Sequence, residues 1–159
     1  MNKIKVSLDK RQHSSYDIYI GQDILDRMGL LLAKNRWGAR YIIISDENVA
    51  ALYGDKVMGM LKNMDIRADL ITFPAGERSK SIETCTGLVE QMMDVGADRT
   101  SAIIALGGGV VGDVAGFTAS IYMRGIPCIQ VPTTLLAQVD SSIGGKTGVD
   151  TRAGKNLIG

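Results

Sequence analysis

The sequence predicts an α/β fold: a mostly parallel sheet with flanking helices, preceded by an N-terminal β-ribbon. Three observations carry this. Short apolar runs of strand length alternate with longer segments of helical period. Turns rich in glycine, acid and amide residues follow the ends of the runs. The stretch Ser101 to Asp113, SAIIALGGGVVGD, joins one strand-like run to one helical segment across three glycines.

The ribbon comes first. Ile4, Val6 and Leu8 alternate with Lys3, Lys5, Ser7 and Asp9, the pattern of a half-exposed strand. Tyr16 to Ile20 alternates again, and Gly21 ends it. The period then changes. Ile24, Leu25, Met28, Leu31 and Leu32 mark one helix face, with Asp23 near its start.

Tyr41 to Ser45, YIIIS, reads as a strand buried on both faces. Asp46, Glu47 and Asn48 follow, at the strand end where α/β proteins bind ligands. Asp46 reads as an acceptor for ribose hydroxyls; the alternative is that Asp46 or Asn48 caps the helix beginning near Val49, and both can hold for neighbouring residues. Val49 to Met64 is helical, with Leu52, Val57, Met60, Leu61 and Met64 expected inward and Gly54 and Gly59 lowering its regularity. Ala68 to Phe73 is the next strand. The loop Pro74 to Lys80 leaves its end carrying Glu77 and Lys80, either as solvated charges or as ligand contacts. Ser81 caps a helix over Ile82 to Val95, with Cys85, Leu88, Val89, Met92 and Val95 inward.

Ala102 to Leu106 is a buried strand, and Val110 to Tyr122 has helical spacing. Gly107, Gly108 and Gly109 between them allow a tight turn and close approach to a ligand. Strand, glycine turn and helix together aim free N–H groups and a helix dipole at a phosphate. The spacing Gly107-x-Gly109-x-x-Gly112 fits the dinucleotide fingerprint, which also wants an acid about 20 residues on. No Asp or Glu lies between Asp113 and Asp140. The turn therefore reads as a phosphate cradle of another kind; the alternative is a tight turn without a ligand.

Cys128 to Val131 is one more short strand, and Leu135 to Val139 is helical. Gly145-Lys146-Thr147 resembles the tail of a P-loop, but Asp140 stands where its first glycine is required. Lys146, Arg152, Lys155 and Asn156 make a polar closing segment with cations suited to a phosphorylated or carboxylated ligand. The alternative is a solvated loop.

Composition narrows the class. A chain of 159 residues can form one domain with a real core. Net charge is +1 with no basic run, which argues against nucleic acid. No apolar run has the length of a bilayer span, and the first residues lack a signal-peptide core. Cys85 and Cys128 read as buried free thiols of a cytoplasmic protein. His13 is the single histidine, in a polar stretch, so the chain holds no multi-histidine metal site.

Several motifs converge on one family: Gly76-Glu77-x-x-Lys80, GGGVVGD at 107–113, YMRG at 122–125, VPTTLLAQVDSSIGGKTGV at 131–149, and Gly154-Lys155-Asn156. Together they resemble the 3-dehydroquinate synthases of the shikimate pathway, from Tyr16 onward. The long PTTLLAQVDSSIGGK run is the specific part. The resemblance implies that residues 1–159 are a Rossmann-like NAD-binding domain, followed in the family by a mostly helical domain. It implies NAD contacts at Asp46, Glu77 and Lys80, and a pyrophosphate and ribose turn at Gly109, Val110, Val111, Gly112 and Asp113. Thr133 and Thr134 are further cofactor contacts on the same basis. Asp140, Lys146, Lys155 and Asn156 fall in the substrate pocket, with Lys146 and Lys155 also reaching the cofactor. Arg124 corresponds to the arginine that, in family homodimers, reaches substrate phosphate in the partner's site.

The family's substrate is 3-deoxy-D-arabino-heptulosonate 7-phosphate. Oxidation by NAD⁺, phosphate elimination, re-reduction and an aldol closure give 3-dehydroquinate. The family's zinc is held by a glutamate and two histidines of the second domain, and no counterpart occurs in this chain. The expectation is thus a domain of a longer enzyme, inactive alone. Rival readings are another sugar phosphate cyclase, a metal-dependent polyol dehydrogenase, and a nucleotide-binding module without catalysis.

Overall fold

The computed structural model describes residues 2–6 and 15–159. Contacts divide the chain into two compact units, Met1–Asn35 and Arg36–Gly159.

The first unit is the expected ribbon and helix. β1 (Asn2–Val6) pairs antiparallel with β2 (Tyr16–Ile20), placing Lys3 opposite Tyr19. Lys3 Nζ lies 2.5 Å from Asp17 Oδ2 across the ribbon. The expected strand residues Ser7, Leu8 and Asp9, and the histidine His13, lie outside the described residues. α1 (Leu25–Asn35) buries Met28 and Leu32 and half-buries Leu25 and Leu31, at the helical spacing of the predicted stripe.

The second unit holds β3 (Arg40–Asp46), α2 (Glu47–Asn63), β4 (Ala68–Phe73), α3 (Ile82–Asp94), β5 (Ser101–Gly107), α4 (Gly109–Ile121) and β6 (Cys128–Pro132). A hairpin of β7 (Val149–Thr151) and β8 (Gly154–Ile158) follows. The sheet order is β4-β3-β5-β6, and every neighbouring pair is parallel. β3 and β5 lie in the middle, buried on both faces. That is why YIIIS and AIIAL are uninterrupted apolar runs rather than alternating ones.

The two faces have different partners. Ile42, Ile44, Ile71, Phe73, Ile103 and Ala105 share one cluster with Cys85, Leu88 and Met92 of α3 and Val111, Val114 and Ala115 of α4. α4 is buried nearly all round, as its apolar sequence requires. Strand residues of the opposite parity face α2. There Gly54 comes so near that a Cβ would sit 3.0 Å from Leu70 Cδ2.

Two expectations need correction here. Leu52 does not face inward; it is 74% exposed. The buried stripe of α2 is Gly54, Val57 and Leu61, and Leu52 lies about 200° of helix rotation from Gly54. Size favoured Leu52, but close packing on Leu70 favoured the residue with no side chain. The polar closing segment is not a loop either. Its second half is the β7–β8 hairpin, whose short strands, β7 buried or half-buried and β8 mostly exposed, show no apolar alternation. Leu135–Val139 is helical as expected, but its turn widens to a π-type turn over Ala137–Ser141.

Candidate functional site

Parallel strands deliver their carboxyl ends to one edge of the sheet. Asp46 after β3, the loop 74–80 after β4, the glycine turn after β5 and Thr133-Thr134 after β6 therefore gather on the same side.

The glycine turn is held by its neighbours. Thr133 N–H donates to the Gly107 carbonyl at 2.9 Å. A Cβ on Gly107 would sit 2.4 Å from Val111 Cγ2, on Gly108 3.2 Å from Thr134 Cγ2, and on Gly109 3.1 Å from Ser141 Oγ. On Gly112 it would meet Gln130 Oε1 at 2.8 Å. The glycines thus let the 133–141 segment close over the turn. Gly108 is the N-cap of α4 and supplies no side-chain bond. The first turn of α4, Gly109 to Val111, is left with N–H groups that have no helical acceptor. Gly108, Gly109 and Val110 retain some exposure. Ser141 Oγ is a buried hydroxyl oxygen with no hydrogen-bond partner beside this turn.

A second cluster borders the turn. Gly76, with φ +110°, opens a single 3₁₀ turn, Glu77–Ser79, pinned by Ser79 Oγ donating to the Pro74 carbonyl at 2.5 Å. The turn delivers Lys80 inward. Its Nζ lies 2.5 Å from Asp113 Oδ2, with side chains 8% and 19% exposed. The Lys80 carbonyl accepts Asp150 N–H at 2.9 Å, tying the β7–β8 hairpin to the loop. Lys155 Nζ lies 2.9 Å from Glu77 Oε1, bonding hairpin and loop a second time. The Glu77 carboxylate raises the Lys155 ammonium above its ordinary pKa, by hydrogen bond first and charge second.

Each expected residue has its place. Asp46 caps α2, accepting Val49 N–H at 2.9 Å. The helix-cap reading is met, while the carboxylate still stands at the ligand edge. Thr134 Oγ1 accepts Ala137 N–H at 3.2 Å and caps the next helical turn. Asp140 and Lys146 are exposed on the segment that follows, and Lys146 makes no ion pair among the described residues. Arg124 stays apart. It follows α4 at the end opposite Gly109, about 20 Å of helix away. Met123, Arg124 and Gly125 hold φ of +50°, +70° and +110° in an exposed turn.

Cys85 and Cys128 are free, and burial raises both thiols, Cys128 to about 12. At neutral pH neither is a nucleophile. Among the described residues no group of three His, Cys, Asp or Glu could hold a metal ion, and no helix is long and apolar enough to cross a membrane. Sequence reasoning missed Ser141, Gln130 and Asp150. The motif run contains Ser141, but nothing in it separates that serine from Ser142. Gln130 and Asp150 act through the close approach of Gly112 and the hairpin, and neither is visible before folding.

Fold and site define a Rossmann-like α/β domain with an open glycine cradle at the sheet's carboxyl edge. Residues 70–159 match the family described as 3-dehydroquinate synthase N-terminal. The chain is 49% identical to the 3-dehydroquinate synthase of Desulforamulus reducens, over 100% of this chain and 44% of that protein. Among solved structures it resembles 2-deoxy-scyllo-inosose synthase complexed with carbaglucose-6-phosphate, NAD⁺ and Co²⁺, with TM-score 0.88 and 32% identity, over 99% of this chain and 42% of that one. It also resembles 2-epi-5-epi-valiolone synthase of Streptomyces hygroscopicus subsp. jinggangensis with NAD⁺ and Zn²⁺ bound, with TM-score 0.80 and 33% identity, over 97% and 42%. The chain belongs to the 3-dehydroquinate synthase N-terminal family. It spans less than half the length of the relatives it matches.

Proposed function

We propose that this chain is the NAD-binding domain of a 3-dehydroquinate synthase, a cytoplasmic homodimer in its full-length form. That enzyme converts 3-deoxy-D-arabino-heptulosonate 7-phosphate to 3-dehydroquinate and phosphate. The observation that carries the reading is the uncapped first turn of α4 beneath the glycine cradle. It offers N–H donors and a positive dipole end to a pyrophosphate. The family match and the higher identity to synthases of this name than to the other cyclases support the choice of substrate.

NAD⁺, when bound, supplies a reversible hydride acceptor. The chain's own residues do the rest. N–H groups of Gly109, Val110 and Val111 bind the pyrophosphate, and Thr133 and Thr134 fix the wall of the cradle. Asp46 and Glu77 face ribose hydroxyls as acceptors. Lys80 holds Asp113 in place. Lys146 and Lys155 offset phosphate and carboxylate charge, with Asp140 and Asn156 in hydrogen-bonding roles. Arg124, remote from this cradle, serves the partner's site. These residues hold the reacting groups together through successive steps.

The divalent metal of related enzymes finds no ligand set among the described residues. The relatives' length and the exposed Leu135, Leu136, Val139 and Ile143 beside the cradle support a second domain covering that surface. The isolated chain is accordingly inactive.

Two experiments test this. Calorimetric titration with NAD⁺ should show one saturable site, lost on replacing Gly109 by a bulky residue. A panel of sugar phosphates offered to the full-length protein should give turnover with the heptulosonate phosphate. Turnover with another sugar phosphate instead would reassign it to a different cyclase.

A further inference from the structure

We propose that Asp150 is a positioning residue, holding the bulge that presents Lys155 and Asn156 to the site. It has this role only if the chain is the cofactor domain proposed above. No motif singles Asp150 out.

The hairpin is out of register. Val149 lies opposite Ile158, and Thr151 opposite Gly154, so two steps along β7 span four along β8. The surplus falls on Lys155, Asn156 and Leu157. Asn156 absorbs it with φ +55°, a left-handed conformation that asparagine tolerates better than most residues. A bulge re-aims side chains and leaves a backbone group without its ladder partner. Here that group is Asn156 N–H, and Asp150 Oδ1 accepts it at 2.9 Å.

Asp150 is itself fixed. Its N–H donates to the Lys80 carbonyl at 2.9 Å, and it bridges Ser81 in parallel register. Lys80 in turn is tied to Asp113 on α4. A continuous chain of contacts therefore runs from the first turns of α4 through Lys80 and Asp150 to Asn156. With the bulge so held, Lys155 reaches Glu77 at 2.9 Å. In this role Asp150 acts through the bulge: it sets where Lys155 and Asn156 stand.

The test compares Asp150→Ala with Asp150→Asn in the full-length protein. It measures kcat and KM for the heptulosonate phosphate, together with hydrogen exchange at the Asn156 amide. Asp150→Ala should lower kcat about five- to ten-fold, the effect of roughly one hydrogen bond, and speed Asn156 exchange. Asp150→Asn keeps an acceptor oxygen at the same point and should restore both to within about two-fold of the parent. Unchanged kinetics in Asp150→Ala, or an Asn variant as impaired as the Ala variant, would overturn the role. Should Asp150→Ala fail to fold, the Asn variant decides: retained protection and turnover support the role, and their loss overturns it. A parent protein that binds no NAD⁺ overturns the cofactor reading and this role with it, whereas a normal parent with an indifferent Asp150→Ala overturns the role alone.

Discussion

Lys80 and Asp113 form an ion pair at 2.5 Å in a setting that leaves little of either side chain in water. The pair joins the loop after β4 to the second turn of α4. Removing one partner strands the other charge away from solvent, and such losses cost about 3–5 kcal/mol in buried settings. Lys80→Met should therefore lower unfolding stability by about 3 kcal/mol in urea titrations. Pairing it with Asp113→Leu should recover most of the loss. A single Lys80→Met as stable as the parent would show that water reaches the pair.

Glycines in this fold divide into those that hold a contact and those that do not. A Cβ on Gly107 would collide with Val111 at 2.4 Å, while one on Gly59 meets nothing within 4 Å. Gly107→Ala should cost about 1–3 kcal/mol through overpacking and weaken NAD⁺ binding by displacing the cradle. Gly59→Ala, inside α2, should stabilise by about 0.5–1 kcal/mol through helix propensity. Thermal melts of the two variants should move in opposite directions.

The thiols give a pH dependence with a defined sign. Burial raises the Cys128 thiol from the ordinary value of 9.0 to about 12. The unfolded chain therefore loses this proton at lower pH than the folded one. Stability from keeping the thiol neutral is fully present below pH about 9 and is lost as pH rises toward about 12. Unfolding free energy should fall across that window, and Cys128→Ala should flatten the fall. Alkylation of both cysteines at pH 8 should be slow in the native chain and fast in denaturant.

The exposed Glu77–Lys155 pair is expected to matter for ligand and hardly for stability. Its side chains are 49% and 71% exposed, and such pairs contribute about 0–1 kcal/mol. Glu77→Gln should leave the melting temperature nearly unchanged while weakening NAD⁺ binding measured by calorimetry. A large loss of stability would mean the pair holds the hairpin in place.

Most of the fold was legible because its signals are local and strong. The central strands are buried on both faces, so Ile42 to Ile44 and Ala102 to Leu106 read as apolar runs. Capping chemistry marks Ser81 as the start of α3 and narrows the start of α2 to Asp46 or Asn48, of which Asp46 is the cap. What escaped depends on contacts between distant segments. Leu52 was expected inside because size is visible in a sequence, whereas the fit of Gly54 against Leu70 is not. The β7–β8 hairpin escaped because Lys155 and Asn156 sit in a bulge held by a side chain, without alternation to mark a strand. The cradle was legible as three glycines, but not the reason for each. Gly108 and Gly109 make room for Thr134 and Ser141, 26 and 32 residues further along the chain.

On the function proposed above, this domain serves a cyclase that recycles its cofactor. The most direct measurement incubates the full-length protein with NAD⁺ and the heptulosonate phosphate, following inorganic phosphate and 340 nm absorbance together. Sustained phosphate release with no net accumulation of NADH is the expected result. Steady NADH accumulation without phosphate would contradict it and point to a dehydrogenase.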